Sequence, residues 1–372
     1  MQLPPFALER FFARYEVAAR HLLCVSDCES MTVGELLDME PGASEELQRL
    51  RLGYTESPGS PSLRAGIARL YTAVTPDDVL VTSGAEEAIF LFMHAALSPG
   101  DDLIVPQPCY QSLAEVARSA ACRVVPWLAR EENGWALDPG ELPRLAGPAA
   151  RAVVLNVPHN PTGYLMAPDL FRKVVRFADE RGLVLFSDEV YRGLEGSPRE
   201  TLPAAADLSA AAVSLGVMSK TYGLSGLRIG WVATRNHEIL RKMAEIKDYT
   251  TICASGPSEL LAEVALRHAP ALARRSRQII DDNLVLLDAL FARRADALGW
   301  SRPAAGPVGF PRFLGGDVEE LCTGALEEEG VLLAPGRLFA DEGNHFRIGF
   351  GRSSLPAALA GLDRFLERRP QR

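Results

Sequence analysis

A lysine lying between an apolar run and a glycine-rich loop is the residue from which chemistry is most directly argued in this sequence. The stretch reads Met218-Ser219-Lys220-Thr221-Tyr222-Gly223-Leu224-Ser225-Gly226-Leu227-Arg228. The chain holds four lysines, and Lys173, Lys242 and Lys247 fall in helical patterns where a solvated face accounts for them. A solvating role explains Lys220 poorly. An amine held in a partly dry pocket sheds its proton near neutral pH and condenses with carbonyls. Arg228, eight positions on, supplies a planar fork suited to a phosphate dianion.

Three further patches have residue types fit for binding. Thr82-Ser83-Gly84-Ala85-Glu86-Glu87-Ala88 joins a strand to a helix through glycine, and unpaired N–H groups at such a helix start can hold phosphate. An ordinary helix start with acidic residues in its first turn accounts for it equally well. Asn156-Val157-Pro158-His159-Asn160-Pro161-Thr162-Gly163 reads as a tight loop, from which a side-chain amide can reach the crevice above a sheet. Ser187-Asp188-Glu189-Val190-Tyr191 places a carboxylate at the end of a buried strand, which is costly unless a positive group pairs with it; a structural salt bridge is the plain alternative.

These patches need elements to position them. Between about Leu63 and Ala233 short apolar runs alternate with helical patterns, the signature of βα units and a mostly parallel sheet. Strands are predicted at 78–82, 102–105, 121–126, 152–157, 183–187, 211–217 and 228–233, with helices at 85–97, 113–120 and 168–181. The 168–181 helix carries apolar residues at Leu170, Phe171, Val174, Val175 and Phe177, one buried face. Beyond 233 the pattern turns to long helices, the second broken near Pro270, and then to mixed short strands and helices. The expected division is a large domain over 46–274 and a small α+β domain from 1–45 and 275–372.

The ordered set Ser-Gly-Ala, Asn-Pro-Thr-Gly, Asp-x-x-Tyr, Ser-Lys and an arginine eight places after the lysine resembles the fold type I pyridoxal-phosphate enzymes, specifically the class I/II aminotransferases of the aspartate aminotransferase superfamily. The resemblance runs from about Tyr54 to Arg347. It implies a three-layer α/β large domain and pyridoxal 5'-phosphate as cofactor. It implies an amino group moved from an L-amino acid to a 2-oxo acid in a ping-pong cycle. Lys220 resembles the lysine that links to the cofactor aldehyde and later moves the substrate proton, and Asp188 the partner of the pyridine nitrogen. Tyr191 and Asn160 resemble the pair bonded to the ring hydroxyl oxygen. Backbone donors of Gly84, Ala85 and Glu86, with Arg228 and Ser219, resemble the phosphate cradle. Tyr110 resembles the aromatic stacked on the ring; without the family it reads as core. Arg347, in His345-Phe346-Arg347-Ile348, resembles the arginine that takes the substrate α-carboxylate, with Asn160 beside it. Tyr54, before Pro58-Gly59-Ser60-Pro61, resembles the tyrosine that reaches the neighbouring subunit's phosphate, which implies a homodimer with shared active sites.

Two stretches depart from the family. Val217 stands where a phosphate-binding serine is common. Ser26-Asp27-Cys28-Glu29-Ser30-Met31-Thr32-Val33-Gly34 does not align with the usual Gly-x-Pro motif, so the substrate is not specified. Were Asp27 or Glu29 to face the pocket, a basic amino acid would follow as substrate; a solvated turn is the other reading. The motifs specify cofactor handling and serve C–S lyases, decarboxylases, racemases and oxidases on this fold equally well, so a different pyridoxal-phosphate reaction stands as the alternative.

Composition narrows the classes. Of 372 residues, 47% are hydrophobic and 23% charged, which excludes a disordered or fibrous chain. A net charge of -9 without a basic block argues against nucleic acid. No apolar run approaches the roughly 18 residues of a membrane helix, and MQLPPFALER does not read as a signal peptide. Six cysteines without paired spacing suggest a reduced, cytoplasmic protein, and the six histidines have no metal spacing.

Overall fold

In a computed structural model the chain is described over residues 3–197 and 200–368. Its centre is a seven-stranded sheet: β1 Val79–Thr82, β2 Asp102–Gln107, β3 Arg123–Leu128, β4 Ala150–Asn156, β5 Val184–Asp188, β6 Val213–Val217 and β7 Gly230–Ala233. The order across the sheet is β1-β7-β6-β5-β4-β2-β3, and β7 alone runs against its neighbours. The apolar runs form strands because both faces are covered: β4, β5 and β6 are buried throughout apart from the first two residues of β4.

Helices supply that cover. Before the sheet comes α1, Ala7–Tyr15; α2, Gly84–Ala96, and α3, Ser112–Ser119, follow β1 and β2; α4, Pro168–Glu180, follows β4. One face of the sheet packs against Leu91, Phe92 and Met93 of α2 and Leu113 and Ala117 of α3. The other packs against α4, which opens on Pro168 and buries Phe171, Val174, Val175 and Ala178 at helical spacing. The fold class is therefore the expected three-layer α/β arrangement with a mostly parallel sheet.

After β7 come α5, His237–Lys247, α6, Gly256–Arg267, and α7, Ala269–Arg293, the last two parted at His268 close to the break expected at Pro270. α7 passes unbroken through residues 274–275. Near the C-terminus, Phe346–Gly349 lies between Val308–Gly309 and Ala334–Pro335, and His21–Leu22 pairs in parallel with Val331–Leu332. The N-terminal segment thus joins the C-terminal strands, and that pairing carries residues 23–28 to the edge of the central sheet's crevice.

One expectation is corrected. Lys247 does not sit on a solvated face: it is fully buried, and Nζ donates to the carbonyls of Ser57 and Ile252, each at 2.7 Å. Two loop carbonyls stand in for water around an ammonium that burial would otherwise penalise.

Candidate active site

The carboxyl ends of β4, β5 and β6 lie side by side, and register fixes what they present. Asn156 pairs with Asp188, and Asp188 with Leu215. Each strand end feeds a loop bearing one of the motifs. The loops meet above a cavity of about 550 Å³. Its walls include Ala85, Glu86, Tyr110, Asn160, Asp188, Tyr191, Ser219, Lys220, Arg228 and Arg347. Residues scattered through the sequence are thus gathered at the place where open α/β sheets bind ligands.

Polar contacts hold this floor in shape. Asn156 Nδ2 donates to the Asp188 carbonyl at 3.2 Å, and Asn156 Oδ1 accepts the Asn160 N–H at 2.8 Å. The Asp188 carboxylate accepts from the Val190 N–H at 3.3 Å. Burial pushes its carboxyl up to about 7, against the pull of that N–H and of the Lys220 charge. Lys220 Nζ donates to Ser26 Oγ at 3.0 Å. Burial holds its ammonium below the ordinary lysine range; Arg347 adds to the effect and Asp27 opposes it. A carboxyl biased toward neutrality thus shares one cavity with an amine biased the same way; a protonated ring nitrogen beside the carboxyl would favour its charged form, and the unprotonated amine is the form that condenses with an aldehyde.

At one end of the cavity α2 begins at Gly84, whose φ of +79° is open to glycine, and no side chain at residue 83 caps the helix. A Cβ on Gly84 would come within 2.4 Å of Arg228 Nη2, and one on Gly230 within 2.7 Å of the Gly84 backbone. Two glycines therefore let β7, the helix start and the guanidinium crowd together, leaving N–H groups and a cation pointing at one spot. That is the donor set of a phosphate cradle. The residues present fit pyridoxal phosphate.

At the other end Arg347 is 1% exposed. Its Nε and Nη2 donate to the Cys24 carbonyl at 3.0 and 2.8 Å, Nη1 donates to Asn160 Oδ1 at 3.1 Å, and the guanidinium lies 4.7 Å over the Phe339 ring. Three of a guanidinium's five N–H donors are engaged, all by neutral acceptors. A buried cation facing a cavity without a carboxylate beside it, among the described residues, is built for an anionic ligand.

Of the residues the sequence singled out, Tyr54 lies apart: it is 92% exposed and does not border this cavity. The Tyr191 hydroxyl donates to the Ser26 carbonyl at 3.3 Å. Val217, at the place of the expected serine, also lines the cavity. His159 does not; it is buried beside Asn160, with Nδ1 2.7 Å from Thr162 Oγ1. Glu29 faces away, accepting from the Ser353 N–H and hydroxyl. Asp27 does border the cavity, gripped by Arg352 at 3.0 and 2.7 Å. Sequence reasoning missed α1, which closes the remaining wall with Glu9, Phe12 and Glu16. The signal was present in Phe6, Phe11, Phe12 and Tyr15, aromatics spaced to anchor one face of a helix.

Comparison with known proteins identifies the family and the fold. The family model described as aminotransferase class I and II matches residues 22–359. Capreomycidine synthase of Streptomyces vinaceus is 32% identical over 365 residues, 97% of this chain and 93% of that protein. A solved structure of a PLP-dependent aminotransferase from Streptococcus suis superposes with a TM-score of 0.94 at 33% identity, covering 100% of both chains. That of the PLP-dependent cyclase OrfR superposes with a TM-score of 0.91 at 30% identity, covering 100% of this chain and 99% of that one.

Proposed function

The chain belongs to the class I and II aminotransferases, and from that premise we propose how its own residues serve a pyridoxal-phosphate-dependent transfer of an amino group from an L-amino acid to a 2-oxo acid. The observation that carries the assignment of roles is the convergence of Lys220, Asp188 and Arg347 on one cavity. When bound, pyridoxal phosphate supplies an aldehyde that links to amines and a ring that draws electrons away from the substrate Cα.

Gly84, Ala85 and Glu86 offer backbone N–H groups to the phosphate, with Arg228 and Ser219 beside them. Asp188 would keep a proton on the pyridine nitrogen, and Tyr191 and Asn160 would serve the ring hydroxyl oxygen. Tyr110, on the cavity wall, would stack against the ring. Arg347 clamps the α-carboxylate with its two uncommitted N–H groups, Asn160 holding the guanidinium in place. That clamp would bring Cα toward Lys220 Nζ, whose amine burial biases toward the unprotonated form, so that it can take the Cα proton and deliver it again.

A homodimer is part of the reading. Leu52, Tyr54, Tyr249 and Ile252 are 85%, 92%, 93% and 53% exposed. Their loops are tied together by Lys247 and by Thr55 Oγ1 donating to the Ala254 carbonyl at 2.8 Å, and Thr250 and Thr251 both bond Glu87 in the first turn of α2. An exposed apolar patch of this kind marks an association surface; this one borders the phosphate cradle and presents Tyr54 to a second copy. The division into 46–274 and the paired terminal segments, a role in amino-acid biosynthesis and a cytoplasmic setting belong to the same reading. All six cysteines are free, and no helix among the described residues is long and apolar enough to cross a membrane.

Because two full-length relatives are named as a synthase and a cyclase, a pyridoxal-phosphate reaction other than transfer is the second reading. One experiment tests both. The purified protein should show a visible absorption band from its lysine-bound cofactor. An amino donor should convert that band to the amine form, and a 2-oxo acid should restore it. Lys220→Ala should abolish the band and cut turnover about a thousandfold or more. A band that persists in the variant overturns the assignment of Lys220, and product formed without the amine form favours the second reading.

A further inference from the structure

The charges around the cavity do not cancel, and the excess lies on one wall. Arg228 faces the phosphate cradle, Arg347 the α-carboxylate position, and Arg352 is committed to Asp27 through two hydrogen bonds. With these and Lys220 assigned, no cation lining the cavity is left over. Two exposed carboxylates are, the Glu86 side chain being held toward its neutral form by burial. Glu9 in α1 and Glu16 at its C-terminal end both line the cavity, and neither carboxylate makes an ion pair or hydrogen bond among the described residues.

Their spacing is informative. Seven residues is two helical turns, so both project from one face, with Phe12 between them. Glu9 stands near Tyr110 and Glu86, pushing both toward their protonated forms, while Glu16 acts on Cys24 and Arg352 at the other side. The helix therefore lays a negative, apolar-centred strip across the mouth of the cavity.

We propose that this strip selects an amino acid whose side chain ends in a cation, a guanidinium or an ammonium. The inference rests on the reading above, in which Lys220 and Arg347 fix the substrate's amine and α-carboxylate. With those two groups anchored, and the cradle and Asp188 taken by the cofactor, α1 is the wall left for the side chain. A long cationic side chain lays its methylenes on Phe12 and its charge between Glu9 and Glu16. A substrate with a second carboxylate is repelled at the same place. The basic preference that Asp27 or Glu29 suggested in the sequence thus falls to other residues: Asp27 is neutralised by Arg352, and Glu29 is turned to Ser353.

The test is a spectral titration of the holoenzyme with L-arginine against its neutral isostere L-citrulline, L-lysine against L-norleucine, and L-glutamate. The cationic member of each pair should bind at least about tenfold more tightly, and glutamate weakest. Glu9→Gln with Glu16→Gln should narrow each gap about tenfold, and so should high salt in the native protein. Both positions are exposed, so the double variant keeps its fold. Whichever pair shows the larger gap identifies the cation. Equal binding within both pairs, glutamate as best ligand, or a preference that survives the double variant overturns the proposal. A protein without a lysine-bound cofactor band, by contrast, overturns the assignment of Lys220 and not this one.

Discussion

Asp188 ties the cofactor to the stability of the whole chain. Its carboxyl, at 3.8 in an exposed setting, is pushed up to about 7 by burial, with Glu189 and Glu86 adding to the effect and Val190 N–H and Lys220 opposing it. Without cofactor, the folded protein keeps a proton that the unfolded chain has already released, so stability falls as pH rises from about 4 toward 7. A protonated ring nitrogen beside Asp188, as proposed, would stabilise the carboxylate and remove that loss. Thermal unfolding of the cofactor-free protein across this range should therefore decline with pH, and Asp188→Asn should decline less. Glu86, Glu189 and Glu195 are also raised by burial, so part of the slope remains in the variant. Equal slopes in the two proteins would take Asp188 out of the linkage. The chemistry of this residue was legible in sequence because a carboxylate ending an apolar strand demands a partner. The contacts of Lys220 with Ser26 and of Arg347 with Cys24 were not, because they depend on a pairing between the N-terminal segment and the C-terminal strands.

Elements were readable where one local pattern decides them. α4 fell where its apolar spacing put it, with Leu170 and Phe177 at the half-buried margins and Ala178 completing the buried stripe. The buried strands showed as apolar runs. α1 was overlooked although its aromatics share one face: Phe6, Phe11 and Tyr15 pack inward, and only the folded chain shows that Glu9 and Glu16 border the cavity. The junction of β1, α2 and β7 shows what an element boundary does for function. Gly84 holds a left-handed turn and lets Arg228 approach, itself at a φ of +51°. Gly84→Ala should cost about 1–2 kcal/mol in stability from the backbone alone. Its methyl group also displaces the flexible end of Arg228, so cofactor should dissociate about tenfold more readily. Equilibrium dialysis and thermal unfolding read the two effects separately. If affinity is unchanged while stability drops, the guanidinium has no part in holding phosphate.

At the scale of the molecule the question is whether one copy of the chain makes a whole site. The cavity contains every group needed to hold an amino acid, yet Tyr54 sits outside it on a patch that Lys247 and Thr55 fasten together. In the proposed two-fold dimer each patch would meet its own copy and each Tyr54 would reach the opposite cradle rather than its own. This makes a prediction that a self-contained subunit cannot satisfy. Lys220→Ala and Tyr54→Ala proteins, each impaired alone, should partly rescue one another when unfolded together, mixed in equal amounts and refolded. Half of the resulting dimers carry one subunit of each kind. In those, one cavity holds native Lys220 and native Tyr54, and the other holds both substitutions. Recovery should therefore approach about a quarter of native turnover. Activity equal to the mean of the two parents would instead place Tyr54 in its own subunit's economy, as a packing residue, and would leave the apolar patch to serve assembly without catalysis.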